Sequence, residues 1–85
     1  MSWQLNYSRR AIRDMRAVPE QQRRNIRERL RDAASDPGNA DLRKLGGGDK
    51  EWRLRVGRWR VIIGFDNDSG TMTVLRVLPR DRAYR

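Results

Sequence analysis

Trp52-Arg-Leu-Arg-Val-Gly-Arg-Trp-Arg-Val-Ile-Ile-Gly-Phe65 is the stretch whose pattern decides the fold. Side chains on a strand alternate between faces with a period of two. Trp52, Leu54 and Val56 therefore share one face and Arg53 and Arg55 the other. After a tight turn at Gly57, Trp59, Val61, Ile63 and Phe65 share a face opposite Arg58, Arg60 and Ile62. A loop of turn formers, Asp66-Asn-Asp-Ser-Gly70, leads into a third strand, Thr71-Met-Thr-Val-Leu-Arg-Val-Leu78. In that strand Leu75 and Val77 alternate with Val74, Arg76 and Leu78, so both faces are partly apolar. If both tryptophan-bearing faces look toward a core, Arg53, Arg55 and Arg60 look away together. Arg76 and Arg80 lie on one parity of the last strand and extend the same surface. A small sheet with one cationic face suits a polyanion.

Outward from the sheet, Trp3-Gln-Leu-Asn-Tyr7 alternates as a half-buried strand does. Ser8 caps a helix that gathers Ala11, Ile12 and Met15 on one face. Pro19 opens a second helix, whose stripe is Ile26, Leu30, Ala33 and Ala34. Asp36-Pro-Gly-Asn39 ends that helix, and residues 40–51 read as a polar connection anchored by Leu42 and Leu45, with Gly46-Gly-Gly48 as a flexible point. The order is β-α-α-β-β-β. It describes a single α+β domain over residues 1–85, an N-terminal strand and helical hairpin packed on a small antiparallel sheet.

Composition narrows the chemistry. Lys and Arg number 20 against 11 Asp and Glu, a formal charge of +9, which favours phosphates or acidic protein segments as partners. Lys44 and Lys50 are the only lysines, so the positive charge is almost all guanidinium: a bidentate phosphate clamp and a poor general base. Without cysteine there is no disulfide framework, and without histidine the usual general base and commonest metal ligand are missing. No metal or cofactor is expected. The carboxylates are scattered, and the arginines of the helices, interleaved with Asp14, Glu20, Glu28 and Asp32, read as a charged outer surface. No apolar run approaches the roughly 20 residues that cross a bilayer. The expectation is a cytoplasmic protein without a membrane partner.

Trp52 to Ile63, then Val74-Leu-Arg-Val77, then a basic tail ending Ala83-Tyr-Arg85, resembles the RelE/ParE superfamily of type II toxins, and the helical pair and Leu45-Gly-Gly fit it too. The resemblance covers nearly the whole chain and implies the superfamily's fold, which has the element order above. RelE-like members are ribosome-dependent endoribonucleases acting on mRNA, each silenced by an antitoxin. ParE-like members inhibit DNA gyrase on the same scaffold, so fold does not settle activity. Carried over by position, Arg60 falls on the central-strand arginine, Arg80 on the arginine ending the last strand and Tyr84 on the C-terminal tyrosine: the implied catalytic set. Arg53 and Arg55 fall where RelE-type enzymes place basic residues, often lysines. With Arg58, Arg76 and Arg82 they make the implied RNA-binding set.

Cleavage would proceed without metal by attack of a 2′-hydroxyl on the adjacent phosphorus. Arg60 and Arg80 would grip the phosphate, and Tyr84 would stack on a base or move a proton. Where many relatives carry a histidine before the tail arginine, this chain has Pro79. The expected function is therefore mRNA cleavage on the ribosome. A gyrase inhibitor and a catalytically weak nucleic-acid or antitoxin-binding member are the alternatives. The expected partners are ribosome, mRNA and an acidic antitoxin, with a monomeric toxin joining its antitoxin in a hetero-oligomer.

Overall fold

Ser8 stands between two elements of different character. Before it, the alternating residues form strand β1 (Gln4–Tyr7). After it, helix α1 (Arg9–Arg16) starts with the Ser8 hydroxyl accepting the Ala11 N–H at 3.1 Å, one of the donors a helix start leaves without an internal partner. The structure, a computed structural model, describes residues 2–45 and 51–80. The glycine run 46–48, Arg82 and Tyr84 lie outside the described residues.

Helix α1 buries Ala11 and Met15 but leaves Ile12 at 47% exposure, so its apolar stripe is narrower than the sequence suggests. Pro19 sits one residue outside helix α2 (Glu20–Ser35), as its N-cap. Ile26, Leu30 and Ala33 of α2 have no exposed surface, and Ala34 has little. One 3-10 turn, Pro37–Asn39, follows Asp36 and ends the helical layer.

The sheet contains β1, β2 (Leu42–Lys44), β3 (Glu51–Val56), β4 (Trp59–Asp66) and β5 (Thr71–Pro79), in the order β1-β5-β4-β3-β2. It differs from the expected sheet in two ways. Part of the expected connection is a strand: β2 pairs antiparallel with β3, Leu42 opposite Leu54, and three residues are too few to display an alternation. In addition, β1 pairs with β5 in parallel, Gln4 opposite Thr71 through Tyr7 opposite Val74, so the sheet is mixed rather than antiparallel. Parallel neighbours need a long crossover. Here everything between β1 and β5 provides it.

The face pattern of β3 and β4 is as expected. Leu54, Val56, Val61 and Ile63 are buried in one core with Met15, Val18, Ile26 and Leu30; Trp59 and Phe65 pack against that core half-buried, and Trp52 meets the Phe65 ring edge-on at 6.5 Å. Strand β5 departs from simple alternation. Ile62 pairs with Arg76 but Ile63 pairs with Val74, which leaves Leu75 as the extra residue of a bulge. Val74 and Val77 are consequently both buried in the core although three apart. Leu75 turns outward, its Cδ1 3.4 Å from where a Cβ on Gly64 would stand. This bulge is the reason the last strand reads as apolar on both faces.

Candidate nucleic-acid interface

The end of the sheet at the β3–β4 turn is built from backbone first. Val56 pairs with Trp59, so the turn holds only Gly57 and Arg58. Gly57 has φ of 58° and Arg58 a negative φ, the pattern of a two-residue turn with glycine first, whose twist matches a right-handed hairpin. The last residue described, Arg80, donates its N–H to Arg58 O at 2.8 Å and ties the end of β5 to this turn. On the helix side the Trp59 indole N–H donates to Gln22 Oε1 of α2. Gln22, Trp59, Pro79, Arg58 and Arg80 border a groove of about 610 Å³.

The arginines of the outer face share a parity and little else. Arg55 lies directly opposite Arg60, and Arg53 opposite Ile62 on one side and Arg43 on the other. Like charges opposed across strands repel. Asp41 offsets part of this at Arg55, Nε to Oδ2 3.2 Å in a solvent-exposed pair. Arg60 is 3% exposed, and its Nη1 donates to Gly57 O and Trp59 O, both at 3.1 Å. Its Nε, also buried, has no hydrogen-bond partner among the described residues. Arg58 and Arg80 are exposed, with no side-chain hydrogen bond among the described residues. The structure thus brings Arg55, Arg58, Arg60 and Arg80 to one end of the sheet, three of them without a carboxylate partner among the described residues.

Arg76 is elsewhere. Its guanidinium pairs with Asp14 of α1, Nε to Oδ2 2.8 Å and Nη2 to Oδ1 3.3 Å, and the same Oδ2 accepts the Val77 N–H at 2.9 Å. Strand β1 stops at Tyr7, so β5 beyond Val74 is an edge whose backbone groups need partners. Ser8 and Asp14 supply them: Ser8 N–H donates to Val74 O, and the Ser8 hydroxyl to Leu75 O. Burial pushes the Asp14 carboxyl up, but the Arg76 hydrogen bond, the Val77 N–H and the surrounding positive charge outweigh it and leave the carboxyl below its ordinary range. Arg76 therefore does not extend the cationic surface as its parity suggested. A carboxylate that reads as one more surface charge on α1 consumes it.

Two further contacts escaped sequence reasoning. Gln22, in a polar stretch of α2, holds Trp59. Arg23 grips Val18 O with Nε and Nη2 at 3.3 and 3.0 Å, closing the turn between the helices instead of serving as outer charge. No sequence spacing signals either. Tyr7 is no candidate base for the arginine end: it lies opposite Val74, and burial pushes its phenol above its ordinary pKa.

The comparisons with known proteins agree with this architecture. The family model described as ParE toxin of type II toxin-antitoxin system, parDE, matches residues 5–84. The archaeal RelE–RelB complex of Pyrococcus horikoshii contains a similar fold, TM-score 0.79 at 24% identity over 96% of this chain and 99% of that one. The toxin–antitoxin complex RelBE2 of Mycobacterium tuberculosis gives 0.83 at 21%, over 94% and 100%. The RelB–RelE complex of Methanococcus jannaschii gives 0.77 at 26%, over 93% and 94%. No curated protein sequence matches significantly.

Proposed function

We propose that this chain, which belongs to the ParE toxin family of type II toxin–antitoxin systems, arrests translation by cutting ribosome-bound mRNA at the arginine-lined end of its sheet. The carrying observation is the convergence of Arg55, Arg58 and Arg80 there, beside a buried Arg60 bonded to the turn carbonyls, with Asp41 the one carboxylate paired with them among the described residues. Such a cluster suits a phosphodiester. The adjacent 2′-oxygen forms a bond to phosphorus and the 5′-oxygen leaves, giving a cyclic phosphate and a free 5′-hydroxyl. The 2′-hydroxyl gives up a proton and the 5′-oxygen gains one.

Guanidinium groups serve the middle of this sequence, where negative charge grows on the phosphorane oxygens, because fixed donors aimed at developing charge lower the barrier. They do not serve its start, because arginine cannot accept the 2′-proton. Tyr84, outside the described residues, is the chain's own group for that transfer in this reading; otherwise a ribosomal RNA group takes the proton. Arg53 and Arg82 complete the expected RNA-binding set, and Arg76 leaves it for the reason given above.

The likeness to RelE–RelB complexes and the charge of +9 support an acidic antitoxin as partner, joining a monomeric toxin in the cytoplasm. Primer extension on mRNA in a translating extract tests the activity. New 5′-hydroxyl ends are expected with the wild-type chain and none with Arg80→Ala. The family model's ParE description favours a second reading, inhibition of gyrase. Intact message together with halted DNA supercoiling would replace the first reading by the second.

A further inference from the structure

Arg60 is the arginine at this end that RNA would be expected to meet, and it is the one turned away from solvent. At 3% exposure its guanidinium is closed to a phosphate, whereas Arg58 and Arg80 stand at the rim. What it does touch is the turn: Nη1 bridges Gly57 O and Trp59 O, the carbonyls on either side of Arg58. We propose that Arg60 is a positioning residue that locks the Gly57–Arg58 turn and so sets where the Arg58 and Arg80 guanidiniums stand.

Three observations converge on this role. The turn is only Gly57 and Arg58 long, and the Arg60 Nη1 bonds go to the carbonyls on either side of Arg58. The support reaches Arg80, because the Arg80 N–H is bonded to Arg58 O in that same turn. And the buried Nε without a partner is the sign of a side chain held for its other contacts, since an unsatisfied buried donor is unfavourable by itself. Any effect on RNA, unlike the effect on the turn, rests on the cleavage reading above.

Arg60→Gln removes the reach to both carbonyls. Hydrogen exchange followed by NMR should then show the Arg80 amide exchanging about tenfold faster, with the β1–β5 amides unchanged. Unchanged protection at Arg80 overturns the proposal. For RNA, a labelled single-stranded oligonucleotide measured by anisotropy should bind Arg60→Gln about tenfold more weakly than wild type. Non-additivity is the diagnostic: in an Arg58→Ala, Arg80→Ala background the same change should weaken binding by less than about twofold. An equal factor in both backgrounds means Arg60 contacts RNA itself, and also overturns the proposal.

Should Arg60→Gln fail to fold, Gly57→Ala disturbs the turn with Arg60 in place, because alanine is strained at φ of 58°. Faster exchange at Arg80 and weaker RNA binding are expected of it; neither change appearing refutes the lock. A wild-type chain that neither binds nor cuts RNA would sink the cleavage reading alone. The exchange comparison would still decide whether Arg60 holds the turn.

Discussion

Arg76 and Arg80 are four residues apart near the end of one strand, yet they meet opposite circumstances. Arg76 lies where β1 has stopped and β5 presents an open edge; Asp14 fills that edge, accepts Val77 N–H and pairs the guanidinium. Arg80 lies at the turn, where Arg60 Nη1 and the Arg80 N–H already serve the carbonyls of residues 57–59 and no carboxylate approaches among the described residues. The same residue type is a structural rivet at one place and an unspent charge at the other. The difference lies in whether the local backbone needs an acceptor: where it does, a carboxylate comes, and the neighbouring arginine is neutralised with it.

The strongest way to break this contrast is to exchange the two consequences. Asp14→Ala should lower stability by about 2 kcal/mol, since it strips a charged hydrogen bond and orphans an edge N–H. For a chain of this size that is a Tm drop of about 10 °C in thermal melts. Cleavage per folded molecule should not change. Arg80→Ala should do the reverse, abolishing cleavage while moving stability by no more than about 0.5 kcal/mol. A large Tm loss in Arg80→Ala would erase the distinction.

Acid sharpens the contrast with a smaller effect. Because the folded Asp14 carboxyl lies below its unfolded value, it contributes stability that is present above about pH 4 and lost as the pH falls through the folded pKa. Melts of Asp14→Asn should therefore start lower at neutral pH and decline less on acidification. A parallel decline in both proteins would mean other carboxyls carry the acid limb. The least effect belongs to Asp41→Ala. Its pair with Arg55 is exposed, so stability should shift by less than about 0.5 kcal/mol. RNA affinity should rise slightly at low salt and lose the gain at high salt, as binding titrations at two ionic strengths would show.

Residues 52–65 were legible because two strands and a two-residue turn are fully described by period and by one glycine. Leu54, Val56, Val61 and Ile63 face the core as their positions require. Strand β5 was not, since a bulge at Leu75 changes parity without changing composition. The arginine end was legible as a set of like residues but not as a set of roles. Nothing in the string distinguishes Arg60, folded back onto carbonyls, from Arg80 at the rim. Asp14 was lost for the same reason: its partner lies 62 residues away in sequence, beyond any local pattern.

The place of β5 in the sheet has a consequence for how the molecule comes into being. Its nearest neighbours are the first strand of the chain and the strand just before it, so it is the strand that joins the start of the chain to the rest of the sheet. While a nascent chain has emerged only as far as Asp66, β1 has no strand beside it, and Val61 and Ile63 lack the neighbours that cover one flank. Pairings of such long range form late and slowly. Synthesis therefore yields no finished arginine tip until β5 and Arg80 have been made and paired, so the charged end of the sheet is among the last features of the fold to form.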